Sequence, residues 1–370
     1  MSIYPEYPTR RQNEERFSLF IFKQSIGMKG ILKQVLGIDV AQKELVVSLG
    51  RLDSHLSIEC YASKVFSNSR KGFAELVKWV NKLTEPSIAV RYVMEATGVY
   101  HEALAYFLAD QGFEVSVVLP NKISNYFRTL EVKTITDKTA SEAILRFGLE
   151  RKLDLWKRPN PTFKKLRQIT RERDQLIGER TLVKNQLHAE MAEAEPNTTS
   201  LNRIRKRIEF LDIQEKEINK EISVLSKKDE HAKKSMKTIM SIPGVGLITA
   251  ATVLAETNGF ELIRNKRQLV SYAGLDVIEK QSGTSVRGKT RISKKGNRYL
   301  RKAMHLPALA AIRHEKRFKD IFTNLVSKHG IKMKAVVAVQ RKILELTYSL
   351  HKNNQVYDRD HMGQKAKSSH

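Results

Sequence analysis

Cysteine is nearly absent from this chain of 370 residues, in which Cys60 stands alone. One thiol excludes an internal disulfide framework and any zinc cluster built from several cysteines. The sequence therefore fits a reducing compartment, and the cytoplasm is the expected location. Cys60 itself is predicted to be a buried core residue, because free cysteine behaves as a small apolar side chain.

Long hydrophobic runs are also missing. No apolar stretch approaches the ~18–20 residues that a membrane-spanning helix needs. The N-terminus lacks the charged region, apolar core and cleavage site of a signal peptide. No membrane partner is therefore expected. The polar, irregular residues 1–30 are interpreted either as a disordered leader or as sequence upstream of a true start at Met28.

Positive charge is what the chain has in excess. It carries 66 Lys and Arg against 40 Asp and Glu, which gives a formal net charge of +26. The excess runs through most of the sequence, so the surface attracts polyanions before any specific contact forms. Nucleic acid is the predicted partner, although ribosomal and chromatin-like proteins share this composition.

Hydrophobic periodicity divides the chain into regions. Residues 31–155 alternate short apolar runs with helical patterns, which is typical of an α/β domain with a largely buried sheet. Residues 236–352 are predicted to form a mainly helical C-terminal domain, and residues 353–370 a disordered tail. On length alone, about two domains and a connector are expected.

The connector, residues 160–235, is predicted to be a long antiparallel helical hairpin or coiled coil. Apolar residues from Leu201 to Leu225 follow heptad spacing that only Glu215 breaks, and the preceding helix is similar but interrupted by Arg173 and Arg180. Such a seam serves internal packing, dimerisation or nucleic-acid contact equally well. A dimer or tetramer is expected, and the pattern does not choose between them.

Three acids mark the ends of elements in the α/β domain. Asp39 follows an apolar strand, Glu95 ends another, and Asp137 begins a helix. A carboxylate beside a core is costly unless it is paired or binds a cation. Each acid alone has a structural explanation, such as a helix dipole for Asp137. Together they predict a Mg²⁺ site, because phosphate chemistry with magnesium needs convergent oxygen ligands.

Two glycines open an apolar helix in the C-terminal domain. In the sequence PGVG at 243–246, Gly244 and Gly246 let backbone N–H groups approach a phosphate without reading any base. A plain tight turn is the alternative interpretation.

A basic segment rich in Gly and Ser follows at residues 281–302. Its cations are Lys289, Arg291, Lys294, Lys295, Arg298, Arg301 and Lys302. Ser282 lies among them and is a candidate nucleophile, because cations stabilise charge that develops on phosphoryl oxygens. Ser271 and Ser293 compete for the same role, and a serine beside a basic cluster also serves simply as a phosphate contact.

Eight short motifs occur between residues 31 and 315 in a characteristic order. They are GIDVAQK (37–43), MEATGVY (94–100), LPNK (119–122), TDK (136–138), PGVG (243–246), SYAGL (271–275), QSG (281–283) and ISKKGN (292–297). In identity and order they resemble the DEDD-type insertion-sequence transposases of the group numbered one-hundred-and-ten, which includes the Piv-like DNA invertases.

The resemblance implies a RuvC-like, ribonuclease-H-type N-terminal domain, a helical connector and a C-terminal transposase domain in a bacterial protein that is nucleoid-associated when bound to DNA. It also implies recombination of donor and target DNA, guided by a noncoding bridge RNA, in a homo-oligomer. Asp39, Glu95 and Asp137 match the first three metal-binding acids, and Ser282 matches the nucleophilic serine. Other family members often hold different residues at the positions of Ser271 and Ser293.

One position departs from the family pattern. The third and fourth acids form an Asp-x-x-Asp pair, and Ala140 occupies the fourth position here. Glu142 is a poor substitute, because five residues at about 100° each turn it away from the face of Asp137. Three hypotheses follow: a serine recombinase that needs only three acids, a metal-dependent junction nuclease in which the serine is incidental, and a disabled copy that only binds nucleic acid.

Overall fold

The computed structural model describes residues 30–96, 98–130, 134, 136–279, 281–282, 286–287 and 290–359, with backbone only at 281–282 and 286–287. Nearly all of the predicted leader, most of the predicted tail and Lys289 lie outside these residues. The chain divides into two compact units, one up to Arg158 and one from Pro159. Among the described residues, no helix is long and apolar enough to cross a membrane.

The first unit is built on a five-stranded sheet with the order β3-β2-β1-β4-β5. Its strands are β1 Ile31–Val40, β2 Glu44–Asp53, β3 Ile58–Ser67, β4 Val90–Glu95 and β5 Glu114–Val118. Strands β1, β2 and β3 pair antiparallel, whereas β4 pairs parallel with both β1 and β5. The sheet is therefore mixed, and the central strand β1 has parallel and antiparallel neighbours.

Helices cover both faces of this sheet. They are α1 Arg70–Leu83, α2 Glu102–Asp110, α3 Pro120–Phe127 and α4 Asp137–Glu150. Leu36 and Ile38 of β1 pack in one core cluster with α1 and α2, whereas Val35 packs in another with α4. Because side chains alternate along a strand, the odd-numbered residues of β1 from Val35 onwards face α4.

The prediction that Cys60 is a core residue is wrong. Cys60 is exposed on β3, which lies at the edge of the sheet and pairs only with β2. Much of an edge strand faces solvent, and nearly all of β3 apart from Phe66 is at least partly exposed.

The second unit begins with the antiparallel helical hairpin formed by α5 Pro161–Met191 and α6 Thr198–Lys228. The residues that interrupt its apolar seam pair with one another. Arg173 contacts Glu215 at 2.5 Å, and Arg180 contacts both Glu215 and Asp212. These pairs are formed within the chain, so the polar breaks fix how the two helices align.

The remaining helices pack with the base of the hairpin around one large core. They are α7 Glu230–Met240, α8 Leu247–Thr257, α9 Lys266–Tyr272, α10 Arg298–Ala303, α11 His305–His314, α12 Lys316–His329 and α13 Lys332–Asn353. Between α9 and α10, β6 Val277–Ile278 pairs with β9 Arg291–Ile292, and β7 Gln281–Ser282 pairs with β8 Val286–Arg287. The predicted α/β domain followed by a mainly helical region is confirmed.

Candidate active site

Asp39 and Glu95 lie at matching heights on neighbouring strands. Ile38 of β1 is opposite Met94 of β4 in the parallel ladder, and each acid is the next residue along its strand. Val93 belongs to the core cluster that packs against α4, so Glu95 points to the same face as Val93. Asp39 points to that face as well, because it lies four residues after Val35.

Asp137 reaches this face because α4 packs unusually close to β1. A Cβ atom at Gly37 would lie 2.3 Å from the backbone oxygen of Ser141 and 2.3 Å from the backbone nitrogen of Leu145. Gly37 thus permits backbone-to-backbone contact two residues before Asp39. Ser141 is one helical turn after Asp137, so the start of α4 is brought to the end of β1 that carries Asp39.

Local hydrogen bonds fix the start of α4. Thr136 accepts from the backbone N–H of Thr139, whose side-chain hydroxyl accepts from the backbone N–H of Thr136 in return, which makes a capping box. The hydroxyl of Ser141 bonds to that of Ser48 on β2 at 2.8 Å and donates to the backbone oxygen of Lys138. Asp137 therefore sits on a helix terminus that is held at both its cap and its first turn.

The three acids interact electrostatically. Burial raises the pKa of Asp39 from its ordinary value near 3.8 to about 6, and the negative charges of Asp137 and Glu95 add to the rise. The backbone N–H of Val40 opposes it weakly. Like charges disfavour ionisation when they are held together. The ends of β1 and β4 near Asp39 and Glu95 therefore carry negative charge that a cation or a proton would stabilise.

The acids offer a divalent cation the right donor atoms but do not form a complete ligand set. Carboxylate oxygens suit a hard ion such as Mg²⁺. Among the described residues, however, no three or more His, Cys, Asp or Glu side chains are grouped closely enough to hold a metal ion. Ala140, partly buried on α4, contributes no ligand at the fourth position.

The charges that raise the pKa of Asp39 are those of Asp137 and Glu95, and not that of Glu142. Its carboxylate lies 4.0 Å from the ammonium of Lys138. Partial burial of the thiol raises the pKa of Cys60 on β3, although the residue as a whole is exposed, and the charge of Glu142 adds to the rise. Glu142 therefore faces the β3 side of α4 and does not replace the missing fourth acid.

Ser282 lies on the backbone ladder of β7 and β8, opposite Val286. Its side chain is outside the described part of the chain, as is all of Lys289. Ser293, one of its competitors, is already engaged: its hydroxyl donates to Asp276 at 2.5 Å and accepts from the backbone N–H of Lys295. Ser271 is exposed on α9.

Four of the remaining predicted cations are on the surface of the second unit, whereas Arg301 donates to the backbone oxygen of Ala273 and Lys302 pairs with Asp174. Arg291, Lys294, Lys295 and Arg298 are all exposed or partly exposed. Arg298 donates to the hydroxyl of Tyr299 at 3.0 Å and lies 4.8 Å from the centre of its ring. These side chains therefore present positive charge to solvent around the start of α10.

The two glycines near α8 differ in environment. Gly244 has φ +85°, and a Cβ atom there would lie 2.5 Å from the backbone oxygen of Pro307, so this glycine is required by conformation and by packing against α11. Gly246 is the N-cap of α8 and has open space beside it. Of the two, only Gly246 has open space beside its Cα atom, whereas Gly244 is packed against α11.

Sequence reasoning missed a buried carboxylate on α8. Glu256 is 2 % exposed and accepts two hydrogen bonds from Arg171 of α5, at 2.7 and 2.8 Å, and one from Asn297 at 2.6 Å. The sequence does contain a signal for it: Glu256 is the one acid in LITAATVLAET (247–257), where every other residue is apolar or small.

Family models match both units of the chain. A DEDD transposase model of IS110 matches residues 36–196, and a model described as the transposase IS116/IS110/IS902 family matches residues 236–323. Together they cover about two thirds of the chain. The first match includes Asp39, Glu95 and Asp137, and the second includes Ser282.

Similar proteins span nearly the whole chain. The pilin gene-inverting protein of Moraxella bovis is 24 % identical over 88 % of this chain and 98 % of its own. The transposase for insertion sequence element IS1111A of Coxiella burnetii is 23 % identical over 93 % of this chain and 96 % of its own. Among solved structures, Thermus thermophilus RuvC matches 33 % of this chain and 99 % of its own at 11 % identity, with a TM-score of 0.26. The family models identify the chain as a member of the IS110 family of transposases.

Proposed function

We propose that this transposase cuts and rejoins donor and target DNA, with Ser282 as nucleophile and with Mg²⁺ held by Asp39, Glu95 and Asp137. Membership of the family and the net charge of +26 favour DNA as the substrate. The observation that carries the proposal is that the negative charges of Asp137 and Glu95 act on Asp39, where they add to burial, the larger cause, in raising its pKa to about 6.

The acids would hold the metal through carboxylate oxygens. A bound divalent ion would supply Lewis-acid stabilisation of charge on the phosphate. The protein would position the acids. Gly37 allows α4 to approach β1, and the capping box at Thr136 fixes the start of α4, where Asp137 is the first residue.

Ser282 would attack a phosphodiester through its hydroxyl oxygen. A new oxygen–phosphorus bond forms to Ser282, the bond to one deoxyribose oxygen breaks, and the serine proton passes to that leaving oxygen. The phosphoserine ester keeps the bond energy needed for rejoining. Cations of the basic segment 281–302 would neutralise the phosphate during the exchange: Lys289, Arg291, Lys294, Lys295 and Arg298.

The other predicted partners complete the proposal. Backbone N–H groups at the start of α8, near Gly244 and Gly246, would contact phosphate without reading sequence. Target choice would come from a noncoding bridge RNA, because pairing can supply specificity that the protein does not read. The active assembly would be a homo-oligomer.

The decisive experiment incubates the protein with donor and target DNA, the candidate guide RNA and Mg²⁺. It asks whether protein becomes covalently attached to DNA. We expect an adduct that is lost in Ser282→Ala and retained in Ser271→Ala, a matched exposed serine on α9. Strand exchange that survives Ser282→Ala would refute the serine mechanism, and Mg²⁺-dependent cleavage without an adduct would indicate a junction nuclease instead.

A disabled, binding-only copy is the second candidate, and Ala140 favours it. Adding a carboxylate one turn after Asp137 places it on the same face of α4. If Ala140→Asp gains strand exchange over an inactive parent, the chain is a recombinase that lacks one ligand. If the parent is active already, three acids suffice.

A further inference from the structure

Among the described residues, the carboxylate of Glu256 is the most buried charge that the mechanism above does not use. It lies on α8 with a side chain that is 1 % exposed, and its two oxygens accept three hydrogen bonds from Arg171 and Asn297. A well-packed apolar residue is often as stable as a buried ion pair or more so. A charge at this position in an apolar helix therefore suggests a role in fixing what it binds.

Asn297 links Glu256 to the basic loop, which we define as residues 293–298. Its side-chain amide donates to Glu256, while its side-chain oxygen caps α10 by accepting from the backbone N–H of Leu300 at 3.0 Å. Its backbone N–H donates to the backbone oxygen of Tyr272 at 2.6 Å. Both ends of the Asn297 amide are therefore committed, and its orientation is fixed.

The loop is also bonded along its length to the turn after α9. Lys294 donates its backbone N–H to Gly274, and Ser293 donates its own to Asp276. A Cβ atom at Gly296 would lie 2.4 Å from the backbone oxygen of Tyr272, so the two segments touch through their backbones. The hydroxyl of Tyr272 donates to the backbone oxygen of Glu256 at 3.0 Å, which returns the chain of contacts to α8.

Arg171 brings the helical hairpin into the same network. Its guanidinium makes the two-pronged contact with Glu256 and lies 4.7 Å from the centre of the Tyr299 ring, against which Arg298 also stacks. The hydrogen bond to Glu256 is the main reason that the pKa of Arg171 is raised. The hairpin, α8 and the start of α10 are thus joined through one carboxylate.

We propose that Glu256 is a positioning residue that holds the basic loop in register, so that Lys294, Lys295 and Arg298 present their charges together to a nucleic-acid phosphate backbone. The inference rests on the proposed function for the identity of the anion. The holding contacts themselves are independent of that function.

The test exchanges donor and acceptor between the two partners. Glu256→Gln sets a donor against the Asn297 amide or against Arg171, and Asn297→Asp sets a second carboxylate against Glu256. The double variant Glu256→Gln/Asn297→Asp restores a donor facing an acceptor between these two positions with the same net charge. It does not restore the second bond of Arg171, because Arg171 Nη2 and Asn297 share one Glu256 oxygen. Aspartate also remains a good N-cap for α10.

Two readouts are compared in the full chain. The first is amide hydrogen exchange at Asn297 and Lys294, whose N–H groups bond to Tyr272 and Gly274. We expect protection to fall about tenfold or more in each single variant and to recover in part in the double variant. The second is affinity for a DNA duplex of arbitrary sequence, which we expect to fall about threefold to tenfold with a shallower salt dependence and to recover likewise.

Glu215→Gln is the matched control. Glu215 also pairs with two arginines, Arg173 and Arg180 of the hairpin, and these ion pairs include neither Arg171 nor a residue of the basic loop, so neither loop exchange nor DNA affinity should change. Unchanged protection in the single variants, or no recovery in the double variant, overturns the proposal. Lost protection with unchanged DNA affinity also overturns it, since the loop would then not be the phosphate contact. If the parent binds no DNA, the proposed function fails, and the exchange data alone decide whether Glu256 holds the loop.

Discussion

A half-buried carboxylate in the first unit, Asp39, and a buried one in the second, Glu256, have opposite surroundings. Asp39 faces other acids, and burial together with the charges of Asp137 and Glu95 raises its pKa to about 6. Glu256 accepts three hydrogen bonds, from Arg171 and Asn297. The negative charge of Glu256 is therefore compensated by side chains of the protein, whereas that of Asp39 would be compensated by a bound cation or a proton. Removing the charge of Glu256 should therefore lower the free energy of unfolding, whereas removing that of Asp39 should raise it. The first result is expected of a carboxylate that stabilises the fold, and the second of one that belongs to a ligand-binding site.

The largest effect should come from the framework beneath Asp39. Gly37→Ala places a methyl group 2.3 Å from two backbone atoms of α4, where no side-chain movement can relieve the clash. We expect a loss of about 3 kcal/mol or more in the free energy of unfolding, measured by urea denaturation. Gly178→Ala is the control: it lies in α5 with nothing within 4 Å, so it should be neutral or stabilise by up to about 1 kcal/mol. Equal effects at both glycines would contradict the close packing of α4 on β1.

Glu256→Ala should come next. It leaves the guanidinium of Arg171 and the amide of Asn297 without their shared acceptor. Breaking a buried pair costs about 3–5 kcal/mol, but the Arg171 side chain is 40 % exposed and can be hydrated. We therefore expect a loss of about 2–3 kcal/mol in urea denaturation. A stabilised variant would mean that the carboxylate is not compensated and would erase the contrast with Asp39.

The contrast explains what the sequence could and could not reveal. An acid at the end of an apolar strand is a local pattern, so Asp39 and Glu95 could be singled out, and alternation along β1 and β4 then places both on one face. The partner of Glu256 is Arg171, 85 residues away, and no periodicity links them. For the same reason Arg173, Arg180 and Glu215 look like separate flaws in a heptad seam until the hairpin brings them together.

The solvent exposure of Cys60 also could not be predicted from the neighbouring sequence. The prediction for Cys60 failed because a residue's burial depends on whether its strand lies at the centre or the edge of a sheet, and β3 lies at the edge. The role of Ser282 remains a prediction from residue type and family resemblance, since only its backbone pairing is described.

A smaller effect should distinguish the two glycines before α8. Gly244→Ser combines φ +85° with a close contact to Pro307, and we expect a loss of about 2 kcal/mol. Gly246→Ser adds a preferred N-cap residue in open space, and we expect stability to be unchanged or raised by about 0.5 kcal/mol. Thermal unfolding of both variants tests this. Similar losses at both positions would contradict the assignment of Gly246 as the unobstructed member of the pair.

The smallest effect should be a gain, from Asp39→Asn. A carboxyl group whose pKa is raised in the folded state binds its proton more tightly there than in the unfolded chain. It therefore favours folding below about pH 4, and this advantage is lost as the pH rises from about 4 to about 6. Above pH 6 the parent carries an ionised Asp39 beside other acids, whereas the amide side chain of the variant is neutral at every pH.

We accordingly expect Asp39→Asn to raise the free energy of unfolding by about 1 kcal/mol at pH 8, after allowance for solvent screening, and by much less at pH 4. Urea denaturation at the two pH values measures the difference. Added Mg²⁺ should reverse the order at pH 8, because an ion that binds only the folded parent stabilises it and not the variant. An Asp39→Asn variant less stable than its parent at pH 8 without metal would show that Asp39 is compensated as Glu256 is, and the distinction between the two carboxylates would fall.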